Sequence, residues 1–255
     1  MRKVYFNLFS IIIFLLGVSS CKKELTSKVS GTSALTLVNG VVGNTFFYTN
    51  FNGDNANKLY YSDASTLRYG NFAFFNSYSG QQKLGLYQLP DTNANSKPVF
   101  NLTLDLPLNK VHTLFLTGTP QNPDQFFTAD ELPYHAPADS VIGIRFVNIS
   151  KGDPPVSVNI LGKENGSEMA ELPYKGITGF KNYSAKAGIS SYMFEFRDKA
   201  TGMVLGSCLV NGLDNDGSPY MPNIRRNKNF SIAFLGAAGG MASNRALLIS
   251  ENVKY

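Results

Sequence analysis

The chain carries two histidines, His112 and His135, and two cysteines, Cys21 and Cys208, which are the first places to look for nucleophilic or metal chemistry. A Ser-His-Asp hydrolase needs an imidazole poised over a serine, often displayed on a Gly-x-Ser-x-Gly turn, and the sequence has no such turn. His112 shares an apolar face with Leu114 and Leu116 and is expected to fill space there as a half-buried aromatic. His135 stands between Pro133 and Pro137 and is expected at the surface. A zinc site fails for want of ligands, since Cys208 and two distant histidines do not make a tetrahedral set. Cys208 lies among Val204, Leu205, Leu209 and Val210 and reads as an inert core thiol. Asp214 to Ser218 superficially resembles a calcium loop. The twelfth position is Arg225 where a bidentate Glu is required, and the sixth is Pro219 in place of Gly, so a plain turn is the better reading. Glycosidase chemistry needs two carboxyl groups in one cleft, and Asp105, Asp124, Asp130, Glu131, Glu195 and Asp198 are scattered with nothing to pair them. No catalytic residue, metal or cofactor is therefore expected.

Cys21 is different, because its surroundings specify a reaction. Arg2 and Lys3 precede an apolar run from Val4 to Gly17, too short to span a bilayer comfortably and suited to a secretory signal. The run ends in Val18, Ser19, Ser20 and Cys21. An aliphatic residue and two small residues before a cysteine resemble the lipobox of bacterial lipoproteins: small side chains let a peptidase draw the backbone through a narrow site, and the thiol takes the diacylglycerol. The expected mature chain begins at Cys21 and is held on a lipid bilayer by its acyl chains, each methylene adding about 0.8 kcal/mol of burial. Removing Arg2 and Lys3 leaves 21 basic against 18 acidic residues, so the formal charge falls from +5 to +3. Lys22, Lys23 and Glu24 follow, without an aspartate after the cysteine. That tract is similar to the onward-export signals of outer-membrane and surface lipoproteins in Bacteroidetes, and implies an outer-membrane anchor facing the cell surface or, alternatively, the periplasm. Nucleic acid is disfavoured as a partner, since Arg225, Arg226 and Lys228 form only one small basic cluster.

These residues are set in a chain that is 43% hydrophobic, 13% aromatic and 16% charged, with 23 Gly, 12 Pro and no Trp. Such a composition excludes a disordered chain and a disulfide scaffold, and leans towards strands and tight turns. The chain also repeats itself. Asn109 to Gly118 returns as Asn227 to Gly236; Leu67, Arg68, Tyr69 and Gly70 return as Leu172, Pro173, Tyr174 and Lys175; Tyr78 and Ser79 are matched with Tyr183 and Ser184; Phe126 to Tyr134 returns as Leu247 to Tyr255. The expected organisation is a signal peptide over 1–20, a lipidated flexible tether over 21–33, one domain over 34–134, a linker over 135–140 and a second domain over 141–255. Within each copy the apolar period is two. Phe100, Leu102, Leu104 and Leu106 alternate with polar residues, as do Tyr192, Phe194 and Phe196. Turn signals such as Asn52-Gly53, Ser79-Gly80 and Thr201-Gly202 separate the runs. No segment after the signal has a helical period with caps. The pattern predicts an all-β protein of two tandem Ig-like antiparallel β-sandwiches, about seven strands each, stacked end to end across the short linker.

Residues Ile144 to Ser150, the loop through Asp153, Pro154 and Pro155, and the alternating Val156, Ser157, Val158 resemble the opening of the domain-of-unknown-function family 4397. Asn227 to Ser231 and Asn109 to Thr113 resemble a later strand of that family, while the first copy opens on Leu35 to Asn39 without the Arg or the Pro-rich loop. The resemblance implies a secreted or lipid-anchored β-sandwich, often in tandem, with no assigned catalytic residues. What remains is the aromatic cluster of the first copy, in which Phe47, Tyr48, Tyr60 and Tyr61 are the candidate contact residues. Consecutive aromatics on a strand point to opposite faces, so some must leave the core. They could stack on a glycan, anchor a cell-envelope protein, or cover the seam between the two domains. The functional expectation is a non-catalytic, membrane-anchored binding or adhesion module. The alternatives are a glycan-binding accessory protein of a polysaccharide uptake system and, last, a hydrolase.

Overall fold

The computed structural model describes residues 31–43, 46–55, 66–90, 93–214, 223–237 and 245–251. Sixteen strands and no helix occur among them. In the first half these are β1 (Thr32–Asn39), β2 (Phe46–Asn50), β3 (Thr66–Arg68), β4 (Asn71–Tyr78), β5 (Gly80–Gln88), β6 (Phe100–Leu106), β7 (Val111–Thr119) and β8 (Asn122–Asp130). The second half has β9 (Val141–Asn148), β10 (Val156–Ile160), β11 (Met169–Leu172), β12 (Lys181–Ser184), β13 (Tyr192–Asp198), β14 (Val204–Val210), β15 (Asn229–Phe234) and β16 (Ala246–Ser250). The alternation read from the sequence is realised in β6, where Phe100, Leu104 and Leu106 are buried while Asn101, Thr103 and Asp105 are exposed.

Each half is a sandwich of two four-stranded sheets. Sheet β4-β1-β7-β8 faces β3-β2-β5-β6 across a core of Leu35, Leu37, Phe47, Leu84, Leu86, Leu114 and Leu116. Sheet β12-β9-β15-β16 faces β11-β10-β13-β14 across Ile144, Phe146, Val158, Phe194, Phe196, Ile232 and Phe234. Every strand of the first half thus has its counterpart eight strands later, in the same place in the same sheet. Pairing is antiparallel except for β1 with β7 and β9 with β15, one parallel pair per sandwich, each bridging strands separated by the whole opposite sheet.

The repeat extends to the backbone. Asn39 and Asn148 end equivalent strands, and both are fully buried. The Asn39 amide donates to the Leu67 carbonyl at 3.2 Å and its oxygen accepts from the Val41 N–H at 3.0 Å. Asn148 does the same with Leu172 at 3.0 Å and Ser150 at 3.0 Å. Gly70 and Lys175 both take left-handed φ values, +68° and +60°, and donate their N–H groups to the carbonyls of Asn39 and Asn148. Tyr78 and Tyr183, however, are not equivalent. Thr32 pairs with Tyr78, but the residue matching Thr32 in the second half, Val141, pairs with Ser184. One extra residue is accommodated between the Val147–Ile177 bridge and the Ile144–Lys181 pair, which shifts the repeat by one. A one-residue shift changes the face, so Tyr183 enters the core whereas Tyr78 points outward.

The sandwiches do not stack end to end. The outer faces of β4-β1-β7-β8 and β12-β9-β15-β16 enclose a third core of Val38, Phe115, Val147, Ile149, Ala233, Leu235 and Ile249. The contacts are reciprocal. Tyr174 of the second half donates to Asp124 of the first at 2.9 Å, while Tyr69, its counterpart, lies against Gly236 and within the field of Arg245, the residue matching Asp124. That is the isologous pattern of a two-fold dimer, here within one chain. Burial on both faces is why β1, β7, β9 and β15 are almost wholly buried, polar residues included.

Candidate functional site

Residues with chemical potential are engaged in structure wherever they are described. His112 is buried, stacks on Phe127 with centroids 5.2 Å apart, and lies 3.3 Å from the Ser33 hydroxyl. Burial lowers its pKa, against the opposing field of Asp130. His135 is not a surface residue: its ring is 2.7 Å from the Asn229 side-chain oxygen, because the linker folds back over the end of β15. Cys208 is buried in the second core and its thiol is pushed up to about 11 by desolvation. In a Cys21→Ser variant the folded protein is accordingly expected to leave Ellman's reagent unreacted at pH 8 and Cys208 to react only on unfolding; rapid labelling of the folded variant would contradict this burial. The Asp214 carboxylate accepts from the Gly188 N–H at 2.7 Å.

Two carboxylates do converge, at the seam. Asp130 and Glu251 occupy equivalent positions in the two halves and both receive Arg145, at 2.7 and 3.1 Å, from side chains that are 5% exposed or less. Each is also held by an equivalent hydroxyl, Thr113 on Asp130 at 2.6 Å and Ser231 on Glu251 at 2.5 Å. Burial raises the pKa of Glu251, and Arg145 opposes that rise. Two carboxyls around a buried guanidinium, with no access for a sugar, form a structural clamp. At the other end of the seam Asp124 takes Lys175 at 2.7 Å and Tyr174, whose phenol is pushed up to about 12 by burial.

Of the aromatics expected to make contacts, Tyr60 and Tyr61 lie outside the described residues, as does Cys21. Phe47 is corrected: it is fully buried and packs edge-on against Phe100 with centroids 5.7 Å apart, because its side of β2 faces the core. Tyr48 lies on the opposite side, half-buried and in register with Tyr87. Tyr87 is covered by the loop after β2, to whose Gly53 carbonyl it donates at 3.1 Å. Gly85 admits that loop, since a Cβ there would fall 2.0 Å from the Gly53 oxygen.

Among the described residues the exposed aromatics are Tyr134, which lies between β8 and β9, and two on β4, an edge strand. Phe72, Phe74, Asn76 and Tyr78 share one face, with Phe74 49% and Tyr78 67% exposed. Phe72 packs against the seam core and meets Phe74 edge-on, centroids 5.3 Å apart. The Ser79 N–H donates to the Gly31 carbonyl, and the register from Thr32–Tyr78 to Asn39–Asn71 is unbroken. In such a ladder the odd-numbered residues of β4 bond to β1 and the even-numbered ones direct N–H and C=O outward. The four residues of the aromatic row are therefore the four that present free backbone. On β12 the matching positions are Phe180, Asn182 and Ser184, and the Phe180 ring is covered by Arg145 with the guanidinium 4.9 Å from its centroid. In the first half Thr36 stands in the place of Arg145 and is too short to cover Phe74. The sequence signal for this site was an eight-residue aromatic run free of charge, Asn71 to Tyr78, which the crowding at residues 46–61 overshadowed.

No protein-family model and no curated protein matches the chain. Among solved structures, a CBM26 carbohydrate-binding module from Eubacterium rectale Amy13K, in complex with maltoheptaose, is 10% identical, with 86% of this chain and 98% of that one covered and a TM-score of 0.26. A Bacteroides ovatus protein provisionally described as an adhesin is 13% identical, with 82% and 90% covered and a TM-score of 0.22. Both likenesses are too slight to carry a function to this chain.

Proposed function

We propose that the protein is a lipid-anchored, non-catalytic binding or adhesion module of the cell envelope, and that it meets its partner through the β4 edge of the first sandwich. The observation that carries this reading is the row Phe72, Phe74 and Tyr78, which lies along one face of an uncharged edge strand with the rings of Phe74 and Tyr78 exposed, whereas the other exposed large apolar side chains, such as Tyr134, Leu161 and Met203, do not form such an aromatic row. Exposed rings contribute large, rigid contact area at low entropic cost. The lipobox-like stretch ending in Cys21 supports a lipid anchor, and the charged tract after it supports an outward-facing module.

The topology is tested by proteinase digestion of intact cells, with Cys21→Ser as the control. Digestion of the wild type and release of the variant from the membrane fraction are expected; complete protection would sink surface exposure and leave a periplasm-facing lipoprotein. A glycan is the second reading, favoured by Asn76, whose amide lies on the same face as the two exposed rings and could bond to hydroxyls. Phe72 and Phe74 stand at 75° to one another, which is a poor floor for a flat sugar chain and puts a protein partner first. A glycan array with Phe74→Ala and Tyr78→Ala decides between them.

A further inference from the structure

We infer that the partner is an extended polypeptide segment that adds to β4 as a further strand, an inference that rests on the proposed role of this edge. Four four-stranded sheets have eight edges, and most are guarded in the ways that prevent unwanted pairing. β3 and β11 are three and four residues long. β6 carries Asp105, β8 carries Pro123, Asp124 and Asp130, and β12 carries Lys181 beside the inserted residue. β14 has no charge, but its register with β13 breaks at Phe196/Arg197. β16 is five residues long. β4 has eight residues, an unbroken register, no charge and no proline.

The chemistry of that edge names its occupant. Phe72, Phe74, Asn76 and Tyr78 each direct one donor and one acceptor outward, at the repeat of an extended chain. A second backbone satisfies this array in full, whereas a sugar meets only part of it. The side chains add selectivity, because an incoming strand would lay alternate residues beside Phe74 and Tyr78. Its apolar face would also continue the inter-sandwich seam, which Phe72 already joins. One added strand buries less than a standard protein interface, so affinities of micromolar order are expected.

The test selects linear ten-residue peptides from a display library on the intact protein in detergent, then measures their affinities by fluorescence anisotropy. Asn76→Pro deletes one outward N–H while leaving the bonds to β1, and proline is tolerated at such an edge position. Asn182→Pro, its counterpart in the second sandwich, is the control. Strand addition predicts about a tenfold loss for Asn76→Pro, corresponding to roughly 1.4 kcal/mol, and none for Asn182→Pro. N-methylation of alternate peptide amides, which leaves the protein untouched, is expected to abolish binding in one phase and spare it in the other. Failure to select any peptide, or binding indifferent to both Asn76→Pro and N-methylation, overturns strand addition. A glycan hit lost in Phe74→Ala would overturn it while keeping the β4 row as the contact surface, and loss of every ligand's dependence on Phe74 and Tyr78 would overturn that reading too. Self-association abolished by Phe74→Lys would assign the edge to a second copy and equally overturn the inference.

Discussion

Replacing Arg145 with methionine is expected to destabilise the protein by about 3–5 kcal/mol, because it strands two carboxylates in the seam with no counter-charge. The guanidinium is buried, spans Asp130 of one half and Glu251 of the other, donates its Nε–H to Ser231 at 2.6 Å, and covers Phe180. Packing lost with the side chain is the smaller part of the effect. Combining Arg145→Met with Asp130→Asn and Glu251→Gln removes the stranded charges, and most of the lost stability should return. Urea denaturation of the single and triple variants checks this; equal destabilisation of both would show that packing and not charge dominates. With Arg145 present, the cluster still holds one cation and two acidic groups. Burial gives Glu251 a pKa above its unfolded value, so its contribution is fully present below the ordinary glutamate range and is lost as pH rises through the raised folded value. Stability is therefore expected to rise on moving from neutral pH towards mild acid, and Glu251→Gln to flatten that rise, as urea denaturation at several pH values would check.

Asn148→Ala is expected to cost about 2–4 kcal/mol, and Asn39→Ala a similar amount, since each leaves a buried N–H and a buried carbonyl without partners. The two losses should match because the two corners are built alike. Their effects should also appear in one cooperative transition, as the third core couples the sandwiches. Two separate unfolding steps, with each substitution moving only its own, would contradict the shared seam.

Much of the architecture is written in local patterns that survive without tertiary knowledge. Alternation at Phe100 to Leu106 announces a two-faced strand, and the repeat between 109–118 and 227–236 even carries its backbone conformations, with Asn109 and Asn227 at φ +57° and +58° and Gly118 and Gly236 at +83° and +98°. The seam is not legible in this way. Thr113, Thr117, Ser231 and Arg145 occupy alternate positions that read as solvent-facing, yet each is buried with a partner supplied by the other half or a neighbouring strand. The single residue inserted before β12 was equally hidden, and it misaligned Tyr78 with Tyr183. The burial of Phe47 is hidden for a related reason: in Phe46-Phe47-Tyr48 the pattern says that the faces alternate, but not which of them is inward. The β4 row became visible only once the strand order made it an edge.

Thr36 and Arg145 sit at equivalent places in an interface of two-fold character, and there lies a freedom that a true homodimer lacks. In a homodimer an arginine introduced on one side appears on the other, and so does an exposed aromatic edge. Joining the halves in one chain releases them from identity. One half supplies the cation that serves both carboxylates and covers its own phenylalanine, while the other, relieved of that duty, leaves Phe74 open. The two copies thereby divide the structural work, one supplying the shared cation and the other keeping an open aromatic edge.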